Sequence, residues 1–359
     1  MVCRPFDLRH MKAKIICLWL PLLLVGCSKK SPPAASPPAA SAPLTQFVEV
    51  IPDEVQEQDQ IKAKVLALLN DRDFDGLEAL AARYRDSKEK YADGKWKLSY
   101  VYTGLEPSGS DPEPVWQERQ KQIRSWIRDK PGSVTARVAM GAVLVDYAWQ
   151  ARGSGWAGSV SDEGWRSMSE RLQEAAQILG ETRGLQEKCP VYWSTLQRVA
   201  AGLQLDKTHY TALFEKAVKA YPDYENYFNL RAYYLLPRWY GGPGELERDL
   251  EQSADRIGGD EGDMVYAQVV WNVHEYGTTT NVFAENQFSW PRTSRGFDAI
   301  LKNFPDSLAA MNEGAHLAAL AGDPQKAREL FLLTQGRMDT SLWDDTNQFM
   351  DSYKWATGQ

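Results

Sequence analysis

The chain has little of what most enzymes use for chemistry. Its 359 residues hold only four histidines, His10, His209, His274 and His316, and four cysteines. The last three histidines stand far apart, each on its own stretch of helical pattern. A zinc peptidase needs His-Glu-x-x-His, and His274-Glu275-Tyr276-Gly277-Thr278 lacks the second histidine. No G-x-S-x-G nucleophile elbow is present. Asp260, Glu261 and Asp263 lie between glycines, as a solvated turn would, and no twelve-residue calcium-loop pattern surrounds them. No catalytic residue, metal or cofactor is therefore expected. An apolar run of about 20 residues, the length of a membrane span, is also missing; Ile15 to Val25 gives 11. Positive charge is in deficit, with 41 lysines and arginines against 48 aspartates and glutamates. An acidic chain repels phosphate backbones, which excludes nucleic acid as an expected partner.

The first residues do contain a secretory pattern. Met11-Lys12-Ala13-Lys14 is followed by the apolar stretch Ile15 to Leu24 and then by Val25-Gly26-Cys27. Lysines, about ten apolar residues and a small residue at a cleavage point make a signal peptide. With a cysteine directly after the small residue, Leu24-Val25-Gly26-Cys27 resembles a bacterial lipobox. The resemblance implies cleavage before Cys27 and lipidation of its sulfur. Met1 to His10 reads as an upstream extension, and Met11 is the more natural start. The signal segment 1–26 carries Arg4, Arg9, Lys12 and Lys14 against Asp7, so its removal takes the formal charge from −7 to −10. Cys3 and Cys17 leave with it and Cys27 takes lipid, so Cys189 stands alone and no intramolecular disulfide can form. Cys189, ahead of Pro190 at a helix start, reads as a small buried hydrophobe.

Residues 27–46 form a lipidated cysteine and a tether. Ser28 to Ala42 is proline, alanine and serine with two lysines, a composition that builds no core. In polyproline geometry it would reach roughly 45 Å, at about 3.1 Å per residue. Residues 47–359 are the folded domain, starting near Phe47 to Pro52. Its pattern is helical almost throughout. Tyr210, Leu213, Phe214, Ala217, Val218 and Tyr221 make one apolar stripe, with Asp206 placed to cap it. Sustained alternation of period two is absent, so a sheet has little support.

The helices repeat. Phe214-x2-Ala217-x4-Pro222-Asp223 recurs as Phe297-x2-Ile300-x4-Pro305-Asp306, and more faintly as Ile123-x2-Trp126-x4-Pro131-Gly132. In each, an amphipathic helix runs into a proline that ends it, and a new helix is expected from Asp223, Asp306 or Gly132. Met311, Ala315 and Ala318 line one helix of a final pair. Gly322-Asp323-Pro324 makes the turn, and Ala327, Phe331 and Thr334 line the second helix. This pair resembles a tetratricopeptide repeat, with small residues at the close contact. Asn70 to Phe74, followed by Leu77, Leu80 and Tyr84, looks like another. The prolines lie 91 and 83 residues apart rather than about 34. The expected fold is all-α, an irregular tetratricopeptide-like helical-hairpin solenoid.

Two insertions interrupt the hairpins. One is Trp149-Gln150-Ala151-Arg152-Gly153-Ser154-Gly155-Trp156-Ala157, with Glu163-Gly164-Trp165 after it; the other is Pro237-Arg238-Trp239-Tyr240-Gly241-Gly242-Pro243-Gly244. With Trp290-Pro291-Arg292 and Gly296-Phe297 they resemble a bacterial domain of unknown function, family number 4034, over residues 115–335. The resemblance implies a tetratricopeptide-like fold and no activity. Tyr240 departs from it, inserted into the usual Arg-Trp-Gly-Gly. Gly153-Ser154-Gly155-Trp156-Ala157-Gly158 matches G-x-G-x-x-G formally, but Val138 to Gln150 before it reads as a helix, whereas the nucleotide motif needs a strand.

Arginine beside tryptophan can stack on the ring and still offer a fork of donors to a carboxylate. Arg152, Trp156, Arg238, Trp239 and Tyr240 are accordingly the candidate binding residues. The competing and preferred role is packing, with Trp149, Trp156 and Trp239 as wedges and the two arginines tying loops to helix-end carbonyls. The leading functional expectation is a membrane-anchored binding or scaffold lipoprotein of the cell envelope. It would engage a protein or peptide on an open concave face. The alternative is a small-ligand or glycan-binding lipoprotein using the Arg/Trp/Gly loops. An envelope enzyme is the third and least favoured reading. Ser28 after the lipidated cysteine favours the outer membrane, facing the periplasm, in a cell with two membranes. Radiolabelled palmitate is expected to enter the wild-type chain and not Cys27→Ala; equal labelling of the two would refute the anchor.

Overall fold

The computed structural model describes residues 47–359 except 154, 156, 183–188, 277–279 and 344. The signal segment with Met11, the lipobox with Cys27, the tether up to residue 46, and Trp156 lie outside the described residues. Within them the fold is all-α, with sixteen helices and one minimal sheet. Five helices form an inner row: α5 (Val134–Arg152), α7 (Pro190–Gly202), α9 (Asn226–Tyr234), α11 (Gly259–Glu275) and α14 (Leu308–Leu320). Each forms a hairpin with an outer helix: α6 (Asp162–Gly180), α8 (Lys207–Ala220), α10 (Glu245–Ile257), α13 (Trp290–Asn303) and α15 (Pro324–Thr334). A short α12 (Val282–Glu285) sits between α11 and α13. Burial separates the rows: fourteen of nineteen residues are buried in α5 against six of nineteen in α6, and eight of nine in α9 against three of fourteen in α8. A helix apolar on all sides belongs inside, and one with a single stripe belongs outside.

The inner helices start 56, 36, 33 and 49 residues apart. This spacing accounts for the long proline intervals. Each proline marks an outer-to-inner junction, and every second junction uses other signals. α7 begins with Cys189 as cap and Pro190 as its first residue. α11 begins at Gly258-Gly259, both with positive φ. The intervals of 91 and 83 residues therefore each span two hairpins. The expected starts at Gly132, Asp223 and Asp306 are one to two residues early. The caps are Ser133, Glu225 and Ser307. The Ser133 and Ser307 hydroxyls accept from the Ala136 and Ala310 amides at 2.8 and 3.2 Å, so the proline and the residue after it form the turn ahead of the helix. The final hairpin falls as expected. Gly322 takes φ 74°, Asp323 accepts from the Lys326 amide at 3.0 Å, and Ala315, Ala327 and Phe331 are fully buried.

The N-terminal helices α1 (Asp53–Asn70), α2 (Phe74–Ser87), α3 (Lys97–Thr103) and α4 (Glu113–Asp129) precede this stack and cover part of its inner face. The inner row is thus covered in part by the chain itself. Residues 88–105 run across it and bury Tyr91, Trp96, Leu98, Val101, Tyr102 and Leu105. Trp96 Nε1 donates to the Asp223 carbonyl at 2.9 Å, and its ring meets Tyr224 edge-to-face at 5.5 Å. Tyr102 Oη lies 3.2 Å from the Sγ of the buried Cys189. Gln268 donates to the Asp93 carbonyl at 3.4 Å.

A small parallel sheet joins the two ends of the domain. β1 (Val48–Val50) pairs with β2 (Arg337–Asp339), Val48 opposite Arg337 and Val50 opposite Asp339. The sequence had argued for no strand; three residues are too few to show a period. α16 (Thr346–Thr357) closes this end, with Phe47 edge-on to Phe349 at 5.5 Å and Tyr353 at 5.3 Å. No helix of the described residues is long and apolar enough to cross a membrane. Trp96→Ala removes a fully buried ring and a hydrogen bond across the stack, and should destabilise the domain by about 3–5 kcal/mol. Equilibrium urea unfolding measures this; a loss below about 1 kcal/mol would mean that residues 88–105 do not hold the inner row.

Candidate functional site

The two interrupting motifs meet in space. Trp149, near the end of α5, packs edge-to-face on Trp239 at 5.7 Å. Trp239 in turn lies 5.2 Å from Tyr233, which meets Tyr276 at 5.2 Å. Arg152 is 4% exposed. Its guanidinium donates to the carbonyls of Gly153 and Gly155 at 3.1 and 2.9 Å, and it sits 5.3 Å over Trp165. Arg152 therefore ties the loop that follows its helix back onto the helix end. Trp239 is 7% exposed. Arg238 is half-buried, its guanidinium 5.5 Å over the Tyr233 ring. Tyr240 stacks on Tyr234 at 4.5 Å and donates to the Ala201 carbonyl at 2.7 Å. Gly241 allows this turn, because a Cβ there would fall on the Leu235 carbonyl. Trp156 lies outside the described residues. Of the five candidates, then, Arg152 and Trp239 are turned into the fold, and Arg238 and Tyr240 are partly open. Gly153 follows a helix, α5, so the dinucleotide motif lacks its strand. Asp260 and Glu261 lie in the first turn of α11 and Asp263 in the next, rather than in a loop. Asp263 binds both Arg292 and Arg295, because a helix N-terminus and two facing cations hold carboxylates in place.

Residues 63–179 match the family model described as Domain of unknown function (DUF4034). No curated protein matches the chain. The matched segment runs from within α1 to the end of α6. It includes the first Arg/Trp/Gly motif and stops short of the second, beginning and ending earlier than the 115–335 span of the resemblance. Neither the DUF4034 match nor the all-helical fold identifies a reaction.

Beyond Tyr276 the seam leads to a set of ionisable groups given no role by sequence. Lys95, on the segment lining the inner face, pairs with Asp93 at 3.1 Å and lies 5.2 Å over Trp271. Trp271 Nε1 donates to Glu275 at 2.7 Å. Glu275 is open to water by area, yet desolvation pushes its carboxyl up, against the pull of Lys95. Tyr100 shares this setting: it is half-exposed, and burial first, then the opposing charges of Lys95 and Asp93, brings its hydroxyl to about 12. Glu275 and Glu225 also act on the Tyr100 hydroxyl. Behind Glu275, His274 Nδ1 lies 2.9 Å from Glu313, which is wholly buried. The His274 and His316 rings meet at 4.9 Å, and His316 stacks on Trp343 at 4.7 Å. Two histidines 42 residues apart in sequence thus come together, while His209 stays on the surface beside Asp206. Among the described residues, no group of three or more histidine, cysteine, aspartate or glutamate side chains is arranged to hold a metal. A polar stripe on the apolar α9, Glu225-Asn229-Tyr233 at four-residue spacing, was the one sequence signal for this region.

Burial governs titration here. Desolvation drives Glu54 up to about 7, with the charges of Asp93 and Asp339 adding to it, and drives Glu225 up to about 7 as well. Burial alone would lower His274, but the Glu313 carboxylate outweighs it and holds the ring above its usual value. All three groups therefore hold protons in the fold that the unfolded chain has already released. From the ordinary carboxylate range up to about 7, stability falls as pH rises. His274 adds a contribution of the same sign, complete below the usual imidazole value and lost as pH passes its raised one. The melting temperature should therefore be highest near pH 5 and lower at pH 8, on the order of several degrees. Glu54→Gln should raise it at the higher pH and flatten the profile. A melting temperature that rises from pH 5 to pH 8, roughly the range over which these groups titrate, would refute protonation of these carboxyls.

Proposed function

We propose that the chain is a membrane-anchored helical-repeat binding lipoprotein of the cell envelope, non-catalytic, held by lipid on Cys27 and carried off the bilayer by residues 28–46. In a cell with two membranes it belongs on the outer membrane, facing the periplasm. Its inner face is occupied by its own residues 88–105, so an extended peptide would find no groove there. The observation that carries the reading is where apolar surface remains. Among the described residues, six large hydrophobic side chains are exposed, and four of them, Val48, Ile51, Leu333 and Trp355, belong to the closing end of β1, α15, β2 and α16. Apolar side chains gathered at one end of a domain favour a protein partner over bulk water. That end also receives the tether, so a partner would be met close to the anchor.

The small-ligand reading, through the Arg/Trp/Gly loops, has less support, with Arg238 and Tyr240 partly open but Arg152 and Trp239 turned into the fold.

Photo-crosslinking from position 355 in the native envelope, followed by mass spectrometry, should yield a discrete protein adduct. Leu333→Asp combined with Trp355→Asp should abolish capture and leave the melting temperature within about two degrees of the parent, as surface substitutions do. Capture that survives the double variant, or adducts to lipid alone, would overturn the docking end.

A further inference from the structure

We propose that the cleft between α4 and α5 is a binding site for a small anion carrying two or more phosphate groups. It is separate from the docking end and from the Arg/Trp/Gly loops.

The first argument is space. A cleft of about 340 Å³ opens along α4, lined by Gln117, Gln120, Lys121, Arg124 and Arg128 and by Tyr147 of α5. That volume lies in the range of small-molecule sites. The five α4 residues are spaced three, one, three and four apart, which gathers them on one face of the helix. A different face carries Trp116, Ile123 and Trp126, all fully buried. α4 is therefore fixed by its apolar side and turns a row of donors to the cleft.

The second argument is charge. The lining holds three cations and no carboxylate, in a chain where acidic residues are in excess. Arg171 of α6 adds a fourth, 3.1 Å from the centre of the Tyr147 ring. The carboxylates nearby are Glu118, 3.3 Å from Lys121, Glu174 of α6, paired with Arg124, and Glu113, which accepts from the Tyr147 hydroxyl and from Gln117. In the Lys121 and Arg124 pairs both partners are open to water, and pairs of that kind hold their cations only weakly. Arg128 is exposed and makes no ion pair among the described residues.

The third is what these groups recognise. Amides, an ammonium and guanidinium forks are donors, so the ligand must bring acceptors. A carboxylate would give Arg124 only what Glu174 already gives it. A phosphate brings nearly two charges and three acceptor oxygens, which outcompetes an exposed carboxylate. Lys121 and Arg128 stand about 10 Å apart along the helix axis, at 1.5 Å per residue. Cations strung out in this way suit linked phosphates better than one alone. The acidity of the whole chain keeps long phosphate polymers away, whereas a small anion stays within the roughly 8–10 Å over which the local cations are unscreened.

The test uses the mature chain in detergent and titration calorimetry with inorganic pyrophosphate in metal-free buffer, sodium chloride matching ionic strength. Pyrophosphate should bind saturably at one site and raise the melting temperature. Orthophosphate and succinate should each bind at least about tenfold more weakly, for want of a second phosphate or of any. Arg124→Gln and Arg128→Gln should each weaken pyrophosphate binding roughly tenfold, the loss of one hydrogen bond to a charged group. Their melting temperatures without ligand should stay within about two degrees of the parent. Glu174→Gln frees Arg124 and should tighten binding, a gain that a folding defect cannot imitate. Dihexanoylglycerol pyrophosphate distinguishes the source: binding about tenfold tighter than pyrophosphate assigns a lipid headgroup, and equal or weaker binding assigns a water-soluble phosphate ester. The proposal is overturned by absence of saturable pyrophosphate binding, by orthophosphate or succinate binding as tightly, or by three variants that bind like the parent. Crosslinking from position 355 is unaffected by any of these results, so the docking end stands or falls separately.

Discussion

Stacked hairpins curl, and a curled stack has an inner surface that must be wetted or covered. Here the inner helices α5, α7, α9, α11 and α14 are apolar on the side facing their partners and largely apolar on the side facing inward. An exposed apolar face of that extent would be a liability in water. Residues 88–105 cover it, and the rest of the architecture depends on that contact. Trp96 is the pivot, fully buried and bonded to the backbone at Asp223, where one hairpin passes to the next. With the inner face covered, the N- and C-terminal ends are brought together and joined through β1 and β2.

Covering the axis with a chain segment has an electrostatic consequence. A loop carries backbone polar groups and side chains that a helix face would not, and these must find partners in the interior. Asp93 and Lys95 pair with each other, the Asp93 carbonyl receives Gln268, and the surrounding helices contribute Glu54, Glu225, Glu275 and Glu313. The balance is not even. Carboxyl groups outnumber cations, and burial responds by holding Glu54 and Glu225 protonated near neutrality. The segment across the inner row thus brings acidic groups beside tyrosine rings, Tyr91 against Tyr100 and Tyr233 against Tyr276, and exposed apolar side chains remain at the closing end.

Elsewhere, ion pairs tie the outer row to the inner. Arg292, from the Trp290-Pro291-Arg292 motif, is buried among Glu251, Asp255 and Asp263 and joins α10, α11 and α13. Arg231 does the same for α9 and α10 through Asp249. Pairs of this kind add little net stability against apolar alternatives, but a buried arginine left without its partners is costly, so they fix which helices can be neighbours. The arginines and tryptophans of the interrupting motifs follow the same logic. Arg152 holds carbonyls of its own loop, and Trp149 and Trp239 join two hairpins through one ring contact.

Much of the fold was legible because helix periodicity and capping are local. The stripe from Tyr210 to Ala217, the Asp206 cap and the turn at Gly322-Asp323-Pro324 are each decided within a few residues. The family resemblance was legible for a similar reason: short Arg/Trp/Gly motifs survive as strings. Helix starts after the prolines were misplaced by one to two residues, since serine caps at Ser133 and Ser307 compete with the turn residues just before them. The helix start at Cys189-Pro190 was legible, but the hairpins inside the proline intervals were not counted as repeats, because a glycine pair and a Cys-Pro start share no signature with the other junctions. The cluster of ionisable groups on the inner row was almost wholly illegible. His274 and His316, Lys95 and Glu275, and Tyr100 and Glu225 are distant in sequence. Their proximity, and the burial that shifts their protons, exists only once residues 88–105 lie across the inner row. The sequence by itself determined the class, the periodicity and the sign of the charge. Which charges face one another, and which faces remain open, was decided by packing alone, because burial and Coulomb energy depend on distances that local sequence does not encode.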